Sequence, residues 1–77
     1  MSIEVKIFAS LAETLGLRTT RCEYQSGMTA RAVWTAITHG REPPRNLIVA
    51  INHEYSKLDA AVRDGDEIGF FPPVTGG

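Results

Sequence analysis

Residues 63–77 read RDGDEIGFFPPVTGG, a turn followed by a short apolar strand, two prolines and a closing pair of glycines. The strand is predicted over Glu67–Phe71, with Ile68 and Phe70 on one face and Phe71 on the other. A strand followed directly by two stiff prolines and two small glycines indicates a β-containing domain whose C-terminal segment has a function separate from folding.

The tail that follows this strand, residues 72–77, is predicted to leave the domain as an extended stem that becomes flexible toward its end. Pro72 and Pro73 each fix φ and bias the preceding residue toward extended geometry. Gly76 and Gly77 carry no side chain, so they can enter a channel too narrow for other residues. The functional interpretation is a tail whose reactive group is the Gly77 carboxylate, and the alternative is a frayed end.

Length and composition bound the class of protein. Seventy-seven residues predict a single domain with a small core, and 43% hydrophobic with 22% charged residues is typical of a globular chain. A net charge of −1 offers no basic footprint for nucleic acid. The opening MSIEVKIF lacks a signal-peptide pattern, and no apolar run approaches the roughly 20 residues of a membrane span. We therefore expect a soluble, cytoplasmic protein without nucleic-acid or membrane partners.

The side chains that most often carry chemistry have structural interpretations here. Cys22 is the single cysteine, which excludes an internal disulfide and favours a reducing compartment, and we expect it to be a packed structural thiol. His39 and His53 lack a matching cysteine or carboxylate motif, so no metal site is expected. Trp34 falls on the apolar stripe of a predicted helix and is assigned to the core. The chain is not expected to supply catalytic side chains.

Hydrophobic periodicity predicts the other strands. Ile3, Val5 and Ile7 alternate with charged residues, which is the pattern of a half-buried strand. Residues 19–25 predict a second strand beside the first, and the apolar run of residues 47–51 is typical of a central strand paired at both edges.

Two helices are predicted between these strands. Ser10 and Glu13 have capping-box spacing for a short helix that ends at Gly16. Thr29 can cap the main helix, and Gly40 is placed to take the left-handed conformation after it. Asn52-His53 predicts a turn, and Tyr55 and Leu58 are assigned to a short irregular stretch. The order β, β, α, β, β then predicts an α+β fold in which one mixed sheet packs against one main helix.

Two aromatic residues are predicted to face away from the core. Phe8 continues the solvent-facing register of the first strand, and Phe71 has the same position in the last strand. If these strands pair, both rings lie on one exposed face near the start of the tail, with Tyr55 as a third member. We interpret the group as a docking surface, and the alternative is that the sheet edge or the small helix covers it.

The chain resembles a known family in FASLAETLG (residues 8–16), in RDGDEIGFFPPVTGG and in the β-grasp order between them. It is similar to the ubiquitin-like sulfur carriers of the ThiS/MoaD family, which includes the small subunit of molybdopterin synthase. The resemblance covers the whole chain, and the FFPPVTGG ending is its most specific part. The PPVTGG stem favours the molybdenum cofactor branch.

The resemblance implies a cycle in which an E1-like enzyme uses ATP to adenylate the carboxylate of Gly77. A sulfur-donating system then converts it to a thiocarboxylate, whose sulfur passes to cyclic pyranopterin monophosphate in the large synthase subunit. The carrier would be a non-catalytic subunit of a heterotetramer and would bind no cofactor itself. The family's docking contacts correspond to Phe8, Tyr55 and Phe71. The tail residues expected inside the large subunit are Pro72, Pro73, Val74, Thr75 and Gly76.

Other functions remain open within the same fold. A carrier for thiamin thiazole or another sulfur metabolite would share the closing glycines, as would a ubiquitin-like modifier conjugated to lysines. An interaction module with an idle tail is a further alternative. The chain differs from many relatives in residues 38–45, where HGREPPR shortens and stiffens the link after the main helix.

Overall fold

The computed structural model describes residues 1–73, and its elements alternate between strands and helices before ending in three strands. In chain order they are β1 (Ser2–Ile7), α1 (Ala9–Leu15), β2 (Thr19–Glu23), α2 (Ala30–Thr38), β3 (Ile48–Ile51), β4 (Glu54–Ser56) and β5 (Glu67–Phe71).

The strands form one mixed sheet in the order β2-β1-β5-β3-β4. β1 and β5, the two ends of the described chain, run parallel at the centre, whereas the other three strand pairs are antiparallel. A parallel pair needs a long crossover connection, and the segment that contains α2 provides it. The predicted architecture, a mixed sheet packed against one main helix, is confirmed.

The core lies between α2 and one face of the sheet. Trp34 of α2 and Phe70 of β5 are both fully buried, and their rings meet edge to face at 5.2 Å and 80°. Alternate residues of β1 point into the same core, as the period-two pattern predicts. The other fully buried large side chains are Ile3, Ile68, Val5, Val33 and Val49.

The helix α1 begins earlier than its capping-box pattern suggests, so that prediction is wrong. Phe8 is the N-cap, with no side-chain cap hydrogen bond, and Ser10 lies inside the helix, where its carbonyl accepts from the Thr14 hydroxyl at 3.1 Å. The reason is tertiary: the Phe8 N–H donates to the Phe70 carbonyl at 3.1 Å, so strand pairing continues to the residue before the helix. Gly16 ends α1 in the left-handed conformation, with φ at 74°, as predicted.

The helix α2 begins as predicted and ends one residue earlier. The Thr29 hydroxyl accepts from the Ala32 N–H at 3.2 Å, which is the expected cap. The left-handed cap is His39, with φ at 58°, and Gly40 follows with φ at 89°, so the assignment of the cap to Gly40 is wrong by one residue. The indole N–H of Trp34 donates to the Arg41 carbonyl at 2.7 Å and fixes the start of the following segment.

The strand β4 lies where the sequence predicts an irregular stretch that contains Tyr55 and Leu58, so that prediction is wrong for Glu54–Ser56. Asn52 and His53 both have positive φ, 51° and 71°, and form a two-residue turn that pairs β4 with β3. Three residues are too few to show an alternating pattern, so the strand is defined by its turn and its partner.

Candidate functional site

The central strand pair brings Phe8 and Phe71 together on the face of the sheet opposite α2. β1 and β5 are parallel, with Ile7 beside Phe70, so the residues that follow each of them are also neighbours. The Phe8 and Phe71 rings stack with centroids 4.4 Å apart and an interplanar angle of 3°. We call this pair the aromatic platform. The predicted juxtaposition of the two rings is confirmed, and Phe8 remains 39% exposed.

Gly69 lies directly beneath the aromatic platform. A Cβ atom at this position would be 3.2 Å from Cε1 of Phe71 and 3.2 Å from Cε2 of Phe8. Both distances are shorter than ordinary van der Waals contact between carbon atoms. The absence of a side chain at Gly69 therefore allows both rings to lie flat on the strand.

A shallow depression extends from the aromatic platform toward the edge of the sheet. Ala50 pairs with Gly69 on one side and with Tyr55 on the other, so the three residues form one row across β5, β3 and β4. The depression has a volume of about 230 Å³. Tyr55 lines it and is 85% exposed, which makes it the most prominent apolar side chain on this face.

Ionisable side chains lie at the same depression: Glu67 and His53 line it, and Lys6 lies beside Glu67. The Oε2 atom of Glu67 lies 3.7 Å from Nζ of Lys6 and 3.6 Å from Nε2 of His53. Both distances exceed the ~2.7–3.2 Å of a hydrogen bond between nitrogen and oxygen. Glu67 is half-buried, with 30% of its side chain exposed. We call Glu67, Lys6 and His53 the charged edge.

Asn52 holds the β3–β4 turn against the start of β5. Its side-chain amide donates to Oδ1 of Asp66 at 2.9 Å, and its side-chain oxygen accepts from the Glu67 N–H at 3.0 Å. Its own N–H donates to the Glu67 carbonyl at 2.8 Å. These bonds fix the position of His53, the next residue, relative to Glu67.

The tail leaves from the strand that carries half of the aromatic platform. Pro72 and Pro73 follow Phe71 directly and are partly buried. The remaining predicted tail residues, Val74, Thr75, Gly76 and Gly77, lie outside the described residues.

Sequence reasoning found the aromatic residues of this surface but missed their surroundings. The period-two register already placed Glu67 and Gly69 on the face of Phe71, and Lys6 on the face of Phe8, so a signal for these residues was present. Ala50 and His53 had no comparable signal. Ala50 lies in an apolar run without alternation. The turn at Asn52-His53 is predicted from the sequence and is confirmed, but the pattern does not show that it places His53 beside Glu67.

The remaining candidate residues lie apart from this surface or form no site. Cys22 is half-buried against the core, and burial raises the pKa of its thiol, as expected for a structural cysteine. Within residues 1–73, no three metal-ligating side chains come together. No helix in that part of the chain is long and apolar enough to cross a membrane.

Comparison with known proteins places the chain among ubiquitin-like carriers and modifiers. The ThiS family matches residues 5–77. The chain is 64% identical over 31 residues, 40% of its length, to the molybdopterin synthase sulfur carrier subunit of Haemophilus influenzae, and this segment spans only 38% of that relative. It is 33% identical to the human protein of the same name over 97% of the chain and 93% of the relative.

Structural similarity extends over the whole chain. The crystal structure of small archaeal modifier protein 1 from Haloferax volcanii superposes with a TM-score of 0.79 and 32% identity, and the match covers 100% of both chains. The predicted ubiquitin-like β-grasp fold is thereby confirmed.

Proposed function

The chain belongs to the ThiS family, and on that premise we propose that it is a sulfur carrier that acts as the small subunit of a molybdopterin synthase. Full-length similarity to the human sulfur carrier subunit supports this branch. The family match includes the PPVTGG ending, which supports a carrier function at Gly77 without distinguishing the molybdopterin branch.

One observation from the fold carries the proposal. β5 contributes Phe71 to the aromatic platform and continues without interruption into Pro72 and Pro73. A partner that covers the platform therefore also receives the start of the tail. In our proposal Phe8, Tyr55 and Phe71 dock the large synthase subunit, and residues 72–76 enter its active site.

The proposed chemistry takes place at the carboxylate of Gly77. A carboxylate is ionised at neutral pH and is a poor electrophile, so it needs activation. An E1-like enzyme would join it to the AMP part of ATP, with release of pyrophosphate. A sulfur-donating system would then displace AMP, which leaves one sulfur in place of one oxygen as a thiocarboxylate.

The large subunit would hold the thiocarboxylate next to cyclic pyranopterin monophosphate, which raises the effective concentration of the two reactants. The thiocarboxylate sulfur would form a bond to a pterin carbon as an oxygen substituent leaves that carbon. Water would then hydrolyse the resulting thioester, which leaves the sulfur on the pterin and returns Gly77 to a carboxylate. In this proposal the carrier binds and delivers, while the partner supplies the catalytic groups.

A second candidate function is conjugation to proteins. The similarity to small archaeal modifier protein 1 covers the chain as fully as the similarity to the sulfur carriers does. A modifier would use the same activated Gly77 but would form an isopeptide bond with a lysine of the target. A carrier for thiamin thiazole remains the alternative within sulfur metabolism.

Reconstitution separates these functions. The full chain is incubated with the E1-like enzyme, ATP and a sulfur donor, and then with the large synthase subunit and cyclic pyranopterin monophosphate. We expect sulfur-containing pterin in proportion to the carrier added. A Gly76→Ala variant should fold normally and lose most of this transfer, because a Cβ enters the channel. Lysine-linked adducts with no sulfurated pterin would instead support the modifier.

A further inference from the structure

The charged edge has an acceptor that the folded chain does not satisfy. Lys6 and His53 both approach Oε2 of Glu67, at 3.7 and 3.6 Å. Within residues 1–73, no side-chain or backbone donor forms a hydrogen bond with the Glu67 carboxylate, and its two contacts with basic groups are longer than hydrogen bonds. In the free protein, water can hydrogen-bond to this carboxylate because 30% of the Glu67 side chain is exposed.

A docked partner would remove that water. Glu67 lines the same depression as Phe8, Tyr55 and Phe71, so a partner that covers the aromatic platform also covers the carboxylate. Burying an ionised carboxylate without new hydrogen bonds is costly. The ammonium and imidazole already present lie too far from Oε2 for hydrogen bonds, so a donor from the partner would offset the lost water.

We propose that Glu67 is a specificity-determining residue of the docking surface, and that the partner presents to it an arginine beside an apolar side chain that fills the depression. This inference rests on the proposed function and names the chemistry of its partner. Arginine fits better than lysine because its planar guanidinium can donate to a carboxylate while its stem lies on apolar surface. The apolar floor of Ala50, Gly69 and Tyr55 supplies that surface.

The aromatic platform and Glu67 would then have different roles. The stacked rings provide apolar area, which many partners can cover, whereas the carboxylate excludes a partner that lacks a matching donor. A partner with an acidic group at this position would meet like-charge repulsion from Glu67, which Lys6 offsets only in part, and would donate no hydrogen bond to the carboxylate.

The test is binding of the full chain to the large synthase subunit from the same cells, measured by calorimetry. Glu67→Gln keeps the shape of the side chain and removes its charge, and we expect about tenfold weaker binding or more. The control is Glu4→Gln, which removes an acid from the neighbouring position on the same face, since Glu4 pairs with Glu67. We expect the control to change the affinity less than about twofold.

A charge exchange identifies the partner residue. Glu67→Arg should abolish binding, and replacing the matching arginine of the large subunit by glutamate should restore it. Equal or tighter binding by Glu67→Gln, with normal binding by the wild-type chain, would overturn the role of Glu67 and leave the proposed function intact. Absence of binding by the wild-type chain would overturn both. Denaturant midpoints of all variants establish that they are folded.

Discussion

Gly69 determines how closely the aromatic platform lies on the sheet. Its φ is not in the left-handed region, so the requirement for glycine comes from space and not from backbone conformation. An added Cβ would lie 3.2 Å from each ring, a distance that small outward shifts of the rings can relieve. A branched side chain needs a larger displacement, and the exposed side of the platform gives the rings room to move.

Gly69→Val should therefore separate the stability of the fold from the geometry of the docking surface. We expect the free energy of unfolding to fall by about 1 kcal/mol, the lower end of the ~1–3 kcal/mol typical of overpacking, because the rings move into solvent and not into the core. The ring resonances of Phe8 and Phe71 should shift, and the large subunit should bind more weakly. Gly69→Ala is the matched control with smaller effects. Unchanged ring resonances in Gly69→Val would contradict this account of the platform.

The effect of burial on a single side chain can be measured at Cys22. Burial raises the pKa of its thiol in the folded state, so the thiol deprotonates more readily once the chain unfolds. The stability that the buried, protonated thiol contributes is fully present at pH values below the pKa of the thiol in the unfolded chain. It is lost as the pH rises through the pKa of the thiol in the folded protein.

The rate of iodoacetamide alkylation against pH measures this shift. We expect the inflection for the folded protein at higher pH than for the chain in denaturant. The stability lost at alkaline pH should be smaller in Cys22→Ser. An inflection at the same pH in both states would show that the thiol is as solvated in the fold as in the unfolded chain.

The helix α2 depends on the N-cap at Thr29 that the sequence predicts. The Thr29 hydroxyl satisfies the Ala32 N–H, one of the first amides of the helix that lack a partner within it. We expect Thr29→Ala to lower the free energy of unfolding by about 1 kcal/mol. Thr29→Ser keeps the hydroxyl and should retain most of the stability in urea denaturation. An equal loss in both variants would assign the effect to the Thr29 methyl group instead of the cap.

The strands and helices show where local sequence patterns predict the structure and where tertiary contacts override them. The alternation in β1 and β5 placed Phe8 and Phe71 on one face, and the structure confirms this placement, because each pattern is fixed by burial on the opposite face. Local pattern failed for α1, where pairing of Phe8 with Phe70 overrides the capping box at Ser10. It also failed for β4, whose three residues are held by the Asn52–His53 turn and by β3.

For the candidate site, the sequence pattern predicts the face on which Phe8, Phe71, Lys6 and Glu67 lie, but it does not predict that the three residues of the charged edge meet. Glu67, Lys6 and His53 are distant in sequence and come from three different parts of the sheet. Their proximity depends on the parallel β1–β5 pairing and on the hydrogen bonds of Asn52. Neither arrangement has a periodic signature in the sequence.

The two faces of the sheet have different roles in the molecule as a whole. One face packs against α2 and provides stability, while the other carries the aromatic platform, Tyr55 and the charged edge. This separation predicts that substitutions on the proposed docking face alter partner binding with little effect on folding. The two prolines after β5 lower the entropy cost of binding. The φ angles of Pro72 and Pro73 are fixed before binding, so these residues lose less conformational entropy when a partner orders them.

Mass spectrometry of the protein isolated from its own cells shows whether Gly77 carries sulfur. Intact mass combined with fragmentation locates any modification along the tail. For a sulfur carrier, we expect a population of molecules in which one oxygen of the Gly77 carboxylate is replaced by sulfur. We expect this population to disappear when the E1-like enzyme is removed from the cells. A Gly77 carboxylate that is never sulfurated in cells with an active E1-like enzyme and sulfur donor would contradict the proposed function.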